Sequence, residues 1–534
     1  MVFKFGLCQS WQIYITSTLL CSILITVNSR TENEPLIYTK EKLLKHCHIF
    51  CHGQLLDAVQ KSQLFKDSKH FVDMSLQYNL RDTLRAFEKI ANKSDKKEIE
   101  NFVSKYFNEP GTDLEICTPP KWKNSPDSFK KIKDPYLQFW AYKIHRKWFR
   151  LCRKVKEIVK AFPDRHSIIY VPHPFIIPGG RFLEFYYWDS YWIIKGLLAS
   201  EMFEAAKQMI ENMANLIERF GFIPNGARIY YLNRSQPPML VSSVADYYDA
   251  TKDKTFLLKV LPSLEKEYQF WLNHRSFIHN DKHLHQYYVN ISYPRPEAYR
   301  EDLELCLNEM DERSKAKVWS NVASACESGW DFSSRWFEKN QSKKHGLKNI
   351  RTMQIVPVDL NAFICGNNRL LAKLYAAVGN FHMATKYEQR FKKAKAIMNE
   401  IFWDPVEEMW FDYDLETSSK ITNYYSSNMV PLYMECTDNK IYYEKAVVNY
   451  MKYNVVNPDI LSTGGEYEVQ EGFGWTNGIL LDFLLTFSDK LTSPQTEAAS
   501  LISSKASHFC LSVVMFLIIL LFNTKNILQH DDKY

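Results

Sequence analysis

Hydrophobic residues recur at intervals of three and four along much of the chain. That spacing places apolar side chains on one stripe of a 3.6-residue helix, so it predicts amphipathic helices with one buried face. The pattern is clearest in 203–217 and 384–401. Its apolar positions are Phe203, Ala206, Ile210, Met213 and Ile217 in the first stretch, and Ala384, Tyr387, Phe391, Ala394, Met398 and Ile401 in the second.

Longer stretches contain two such patterns in succession. Residues 239–275 and 359–403 each hold a pair of helical patterns, separated by a short break at 251–254 and at 379–380 respectively. Short breaks of this kind join antiparallel helices into αα-hairpins. Because strand patterns are few and no Gly/Pro-rich linker interrupts residues 35–488, the sequence predicts a compact all-α domain.

Composition narrows the possible function classes. The 534 residues include 67 Lys and Arg against 61 Asp and Glu, a formal net charge of +6 with both signs interspersed. So small an excess excludes a dedicated nucleic-acid binder. The 17 Gly and 21 Pro are few for this length, which argues against a turn-rich sandwich, collagen or disorder. Aromatic residues make up 15% of the chain, a share that suits a large core and also a carbohydrate site.

Both ends carry apolar segments typical of membrane targeting. Residues 12–27 follow Lys4 and precede small residues, which predicts a signal peptide over 1–29, with an uncleaved anchor as the alternative. Near the other end, 509–522 is apolar but shorter than the roughly 20 residues that span a bilayer. The polar spacer 489–508 fits a glycolipid-anchor signal, whereas the polar tail 523–534 suits a transmembrane tail better. We therefore predict the secretory pathway and the cell surface, membrane-anchored or secreted, with the anchor type open.

Cysteines and glycosylation triplets agree with secretion. An oxidising compartment permits disulfides, but their pairing does not follow from the sequence. The Cys47/Cys51 spacing resembles a metal-ligand pair only weakly, and no second pair follows, so we expect no metal. Four N-x-Ser/Thr triplets begin at Asn92, Asn233, Asn290 and Asn340. Between the two apolar segments lie eight cysteines, Cys47, Cys51, Cys117, Cys152, Cys306, Cys326, Cys365 and Cys436.

Five predicted loops combine arginine, carboxylate and tryptophan. Such residues taken singly are typical of surface ion pairs and core indoles. Their recurrence instead favours a polyol or sugar site, because carboxylates and guanidinium groups hydrogen-bond vicinal hydroxyls while indole faces cover sugar C–H groups. The five loops are 178–192, 224–238, 293–302, 327–336 and 464–478.

These loops also carry family motifs. Residues 178–192, PGGRFLEFYYWDSYW, match the trehalase signature P-G-G-R-F-x-E-x-Y-x-W-D-x-Y-W at every fixed position, and 464–478 resemble the Gly-rich closing motif of that family. Between these two motifs, the segments LNRSQPP, PRPE, SGWD and PVDLNAF occur in the same order as in the family. The chain thus resembles the trehalases over nearly all of residues 30–488. The resemblance implies an (α/α)6 barrel that hydrolyses α,α-trehalose to two glucose molecules with inversion, without a cofactor.

The resemblance also assigns roles to residues. Asp331 of SGWD matches the general acid of the family, which protonates the bridging oxygen while a second carboxylate activates water. Because Asp331 has to remain protonated until it acts, we expect burial beside Trp330 and other carboxylates to raise its pKa. The residues expected to bind trehalose are Arg181, Trp188, Asp189, Asn225, Arg234, Ser235, Gln236, Arg295, Pro296, Glu297, Gly329 and Glu466.

One departure from the family concerns the general base. The family has a Glu in an E-K-Y-D-V element fifteen positions before the Glu of G-G-E-Y, and here that position is Met451. A Q-W-D segment of the family is also absent between SSNMVPL and Gly464. The sequence therefore predicts a missing internal block near Met451 and an incomplete barrel. Two interpretations stay open: an impaired hydrolase, or a non-catalytic trehalose-binding or regulatory form. Carboxylates nearby in sequence that would have to replace the base are Glu444, Asp459, Glu468 and Glu471.

Overall fold

The computed structural model describes residues 47–306, 311–337, 346–437 and 473–493. The predicted signal peptide, the apolar run 509–522 and the tail 523–534 lie outside these residues, as do Met451 and Glu466. Among the helices of the described ranges, none combines the length and the apolar character that crossing a membrane requires.

Helices dominate the described residues, which confirms the predicted all-α class. They are α1 (Gln54–Lys61), α2 (Ser68–Val72), α3 (Leu80–Glu88), α4 (Lys96–Tyr106), α5 (Pro135–Leu151), α6 (Glu157–Ala161), α7 (Tyr187–Ala199), α8 (Phe203–Phe220), α9 (Leu240–Thr251), α10 (Lys254–His274), α11 (Tyr299–Glu304), α12 (Glu312–Glu327), α13 (Val358–Val378), α14 (Phe381–Ile397), α15 (Val430–Tyr433) and α16 (Gly474–Thr486).

Short antiparallel strands decorate the helical body in five small sheets, counted over the described residues. Strand β1 pairs with β2, β4 lies between β3 and β5, β6 pairs with β7, β11 lies between β8 and β12, and β9 pairs with β10. Their bounds are β1 (Ser75–Leu76), β2 (Phe107–Asn108), β3 (Leu114–Ile116), β4 (Cys152–Val155), β5 (Phe175–Ile176), β6 (Ser276–His279), β7 (Lys282–His285), β8 (Ile355–Val356), β9 (Trp403–Asp404), β10 (Met409–Trp410), β11 (Asp412–Asp414) and β12 (Ser419–Ile421).

The hydrophobic periodicity located its helices correctly. Residues 203–217 lie within α8, and 384–401 lie in α14 and the π-helical turn that follows it. Both predicted hairpins form, α9 with α10 and α13 with α14. Their breaks have a backbone cause, because Lys252 and Gly379 adopt the left-handed conformation (φ 55° and 87°) that ends a helix.

The helices divide into an inner and an outer set. Helices α7, α9, α13 and α16 are buried along much of their length, whereas α8, α10 and α14 expose one face. Three inner contacts run in series, since α16 packs on α7, α7 on α9, and α9 on α13. Outer α8 packs on α7 and α9, and outer α14 packs on α13. This arc of paired inner and outer helices is compatible with the expected (α/α)6 arrangement.

Two glycines allow a close backbone contact between α7 and α16. A Cβ on Gly478 of α16 would lie 2.0 Å from the Trp192 carbonyl oxygen, and one on Gly196 of α7 would lie 2.3 Å from the Gly478 Cα. Both obstacles are backbone, which cannot move aside as a flexible side chain does. The approach of α16 to α7 therefore requires glycine at both positions.

Three disulfides join the described cysteines. They link Cys47 to Cys51, Cys117 to Cys152 and Cys365 to Cys436. The Cys47/Cys51 spacing thus belongs to a disulfide. Cys306 and Cys326 are buried and belong to none of these disulfides.

We expect Gly478→Ala to destabilise the fold by at least about 2 kcal/mol, because overpacking against backbone forces α16 away from α7. Thermal unfolding followed by circular dichroism measures this. Thr486→Ala, at the exposed end of the same helix, is the control and should leave the midpoint nearly unchanged. Equal midpoints for Gly478→Ala and the control would contradict the close approach.

Candidate active site

The start of α7 carries the first motif into the interior. The motif was predicted as a loop through residue 192, and this is wrong in its second half, because the helix begins at Tyr187. Helical period is hard to see there because most residues of the helix are buried on every side. Trp188 and Asp189, both buried, therefore lie in the first helical turn.

Several of the segments predicted to form the site contact Trp188. Its backbone N–H donates to Gln236 Oε1 at 2.9 Å. Its indole makes edge-on contacts with the rings of Phe363 and Trp475. Gly329, with φ of 74°, lies so near that a Cβ there would sit 3.6 Å from the indole. Segments distant in sequence thus converge on one side chain.

Arg234 and Glu297 form a buried ion pair in this region. Arg234 Nη2 donates to Glu297 Oε1 at 2.6 Å, and both side chains are more than nine-tenths buried. Burial opposes ionisation of Glu297, but the guanidinium groups of Arg234 and Arg295 outweigh it and hold the pKa of that carboxyl below its usual range. Glu297 is therefore an anion at neutral pH. Pro296 begins the short 3₁₀ turn that carries it.

Some buried polar atoms of this region make no hydrogen bond to another described residue. Within the described ranges, Trp188 Nε1, Arg234 Nε and Nη1, and Glu297 Oε2 are buried without a hydrogen-bond partner. Unpaired buried polar atoms are costly and rare in folded proteins. They present N–H donors beside a carboxylate acceptor, a set complementary to hydroxyl groups, which both donate and accept.

Cys326 joins two further predicted residues. Its carbonyl accepts from Asn225 Nδ2 at 3.5 Å, and its sulfur accepts from Arg295 Nη1 at 2.9 Å. The Arg295 guanidinium also forks onto Asp302, with its shortest contact at 2.7 Å. Asp302 thus fixes the orientation of Arg295.

Residues 328–333 follow the end of α12, and we term them the acid loop after the role predicted for Asp331. Asp331 has φ of 47°, a left-handed conformation that is unfavourable for residues other than glycine and tends to occur at functional sites. The expected burial of Asp331 is wrong for this structure, which leaves it half-buried. The neighbouring Trp330 is half-buried as well, so this loop lies where the interior meets the surface.

A buried arginine that the sequence analysis missed supports this loop. Arg335 forks onto Asp359 and Asp412, with closest contacts of 3.0 and 2.7 Å, and its guanidinium lies 5.3 Å from the Trp330 ring centre. Trp330 Nε1 donates to Asp359 Oδ2. Asp359 belongs to the PVDLNAF motif, and Trp330 and Arg335 lie in the predicted loop 327–336, but no sequence signal joined these residues to Asp412.

Glu327 is a second missed residue. Fully buried at the end of α12, it accepts two hydrogen bonds from Arg275, at 2.7 Å each, and one from the Ser235 N–H at 2.9 Å. It therefore ties the acid loop to the segment of Arg234 and Gln236. The Ser235 hydroxyl donates to the Ile223 carbonyl at 2.6 Å, which holds that segment in place.

Two further predicted residues are Arg181 and Glu466. Arg181 forms a two-point ion pair with Asp67, at 2.7 and 2.9 Å. Glu466 lies outside the described residues, as does Met451. No group of His, Cys, Asp or Glu in the described ranges is arranged to hold a metal ion.

Comparison with known proteins gives this site a family. The family model for trehalases matches residues 63–451 and, in a second overlapping match, 437–488. The human trehalase is 37% identical over 527 residues, covering 83% of this chain and 90% of the relative. The chain belongs to the trehalase family. Trehalases are glycoside hydrolases, so the glycosidase class follows from this membership.

A further curated relative agrees with this assignment. The trehalase of Dictyostelium discoideum is 40% identical over 401 residues, covering 72% of this chain and 67% of the relative. Neutral trehalase from Saccharomyces cerevisiae is 19% identical, with a TM-score of 0.48 over 59% of this chain and 63% of that one. The family assignment rests on the sequence matches and takes nothing from this structural likeness.

A buried acid behind α7 gives the site a pH-dependent support. Tyr187, beside Trp188, donates to Glu267 of α10. Burial raises the pKa of Glu267 to about 8, and the Tyr187 hydroxyl only partly offsets this. The folded chain thus holds this proton more tightly than the unfolded chain, where the pKa lies near 4.5. The stability linked to Glu267 is full below about pH 4.5 and is lost as pH rises towards 8.

We therefore expect Glu267→Gln to lose less stability than the wild type as pH rises. One pKa unit corresponds to about 1.4 kcal/mol, so the advantage of the variant should grow by about 3 kcal/mol between pH 5 and 7.5. Urea unfolding at several pH values measures it. Glu265→Gln, on the same helix, is the control. Like Glu267, Glu265 accepts hydrogen bonds from tyrosine hydroxyls, those of Tyr375 and Tyr387. A parallel loss in wild type and Glu267→Gln would show that Glu267 does not carry the effect.

Proposed function

We propose that this site binds α,α-trehalose. The observation that carries the proposal is the set of unpaired buried atoms on Trp188, Arg234 and Glu297. A disaccharide of two glucose rings offers many hydroxyls to such a set, and its apolar C–H faces suit the surrounding indoles. The relatives that cover most of this chain carry the name trehalase.

We further propose that the complete form of this site hydrolyses trehalose with inversion. Asp331 gives its proton to the bridging oxygen as the bond from that oxygen to the anomeric carbon breaks. A water molecule attacks the same carbon from the opposite face and loses its proton to a general base, so two glucose molecules leave. The Trp330–Asp359–Arg335 contacts hold the loop that presents Asp331.

In this chain we propose that the general base is missing. Met451 stands at the position expected for the general base, and methionine cannot accept a proton from water. The alignment with human trehalase is 527 positions long. It includes 83% of the 534 residues of this chain, roughly 443. More than 80 aligned positions therefore have no counterpart in this chain. The overlap of the two family-model matches, 437–451, ends at Met451. Both observations support a missing internal block at that point.

The second candidate function is trehalose binding without turnover. It is favoured because the chain has the residues expected to bind the sugar, whereas the position expected for the base holds Met451, which has no carboxylate. Such a form acts as a trehalose-binding or regulatory protein. Turnover and binding measured on the same preparation separate the two candidates.

We also propose that the chain enters the secretory pathway and remains attached to the cell surface through 509–522. The three disulfides support an oxidising compartment. Asn92 and Asn290 are exposed and accessible to glycosylation. Sedimentation of the full chain with lipid vesicles tests the anchoring.

For the full chain we expect glucose release from trehalose to be about 10²–10⁴-fold slower than for a version with the family block restored, the usual effect of losing a general base. A coupled glucose assay measures release, and titration calorimetry measures binding. Asp331→Asn serves as the control for residual turnover. Rapid release that Asp331→Asn abolishes would mean that another carboxylate acts as the base. A folded chain that gives no heat with trehalose would refute the binding site.

We expect Met451→Glu alone to leave glucose release low, whereas inserting the whole block restores it. The reason is that the block supplies wall helices as well as the carboxylate, and a carboxylate without its wall has no fixed position relative to water. The same assay compares the two variants at equal concentrations of folded protein. Full activity from the single substitution would contradict the missing wall.

A further inference from the structure

Helix α5 turns an aromatic face outward. It buries Ala141 and Trp148, while Tyr136, Phe139 and Trp140 are 53%, 56% and 58% exposed. These three aromatics are spaced i, i+3 and i+4, so they share one surface of the helix. A contiguous patch of exposed rings marks a surface that contacts a protein or a membrane, whereas single exposed rings are common and carry no such meaning.

The same helix is strongly basic. Its 17 residues contain four Lys and Arg and no Asp or Glu. Over 128–156 there are ten Lys and Arg and one acid, Asp134, which is buried at the helix N-cap. The whole chain carries only +6, so this segment concentrates positive charge. The exposed residues Tyr136, Phe139, Trp140, Lys143, Arg146 and Arg150 form what we term the α5 outer face.

The chain leaves the described body beside this face. The Ser493 N–H donates to Asp134 at 2.7 Å, and the Lys133 N–H donates to the Ser488 carbonyl at 3.3 Å. Fifteen residues, 494–508, then lead to the apolar run 509–522. Fifteen residues span at most about 50 Å even when fully extended. An anchor at 509–522 therefore keeps α5 close to the membrane.

We propose that the α5 outer face lies against the lipid headgroup layer of the membrane into which the C-terminal segment inserts. Tyr and Trp rings favour this interfacial region, and Lys and Arg side chains attract lipid phosphates. The inference rests on the membrane attachment proposed above and adds the orientation of the body. With α5 towards the lipid, attachment has a second contact besides the anchor.

Lipid photo-crosslinking on the full chain tests this orientation. The chain is incorporated into phosphatidylcholine vesicles that contain a lipid with a diazirine near its headgroup, and labelled peptides are mapped by mass spectrometry. We expect label on α5 that falls several-fold in the triple variant Tyr136→Ser/Phe139→Ser/Trp140→Ser. Label should also fall at high salt, which screens the basic residues.

A matched triple variant provides the control. Tyr78, Ile278 and Phe381 are 46%, 66% and 70% exposed on other elements, and replacing them with Ser should leave the α5 label unchanged. Vesicles that sediment the chain without label on α5 would overturn the orientation and leave the anchor standing. A chain that stays in the supernatant would overturn both. Detergent-solubilised dimers lost in the α5 variant, without lipid label, would assign the face to a second copy instead.

Discussion

Buried guanidinium groups that must each meet a carboxylate are the constraint on which this architecture depends. Removing a charge from water is costly unless a partner with good geometry replaces the solvent. The interior of the described body meets that requirement repeatedly. The pairs are Arg228 with Glu184 and Asp73, Arg234 with Glu297, Arg275 with Glu327, Arg295 with Asp302, and Arg335 with Asp359 and Asp412. Four of the five join segments more than forty residues apart, so helix packing and loop placement are fixed together.

This constraint separates side chains that hold the site from those that face a ligand. Arg335 and Arg295 fork onto their carboxylates and so position Trp330 and the Cys326 region. Arg234 is different, because one nitrogen meets Glu297 while two others have no partner within the described chain. A sugar hydroxyl would complete that coordination. Arg335 and Arg295 thus act as supports, and Arg234 is better suited than either to direct contact with a ligand.

The same distinction explains what the sequence was able to predict. Periodicity located α8, α14 and both hairpins, because an amphipathic helix records its own buried face in local spacing. It failed at the start of α7, where most residues of the helix are buried and no polar stripe marks the period. Motif resemblance found Arg234 and Glu297 individually. It did not find Glu327 or Arg335, because their roles arise from partners 52 and 77 residues away that only the fold brings near.

The two activities proposed for this site, binding and hydrolysis, place different physical demands on the chain. Each of the buried pairs closes between described residues, so none requires the segment around Met451. The positions of Trp188, Arg234, Glu297 and the acid loop follow from those pairs and from the contact of α16 with α7. A general base has the opposite character, since it must stand at a set distance from the acid with water between them. On the proposed function, loss of the block around Met451 would remove the base, while the ion pairs that hold Arg234, Glu297 and Arg335 close among the described residues and would remain.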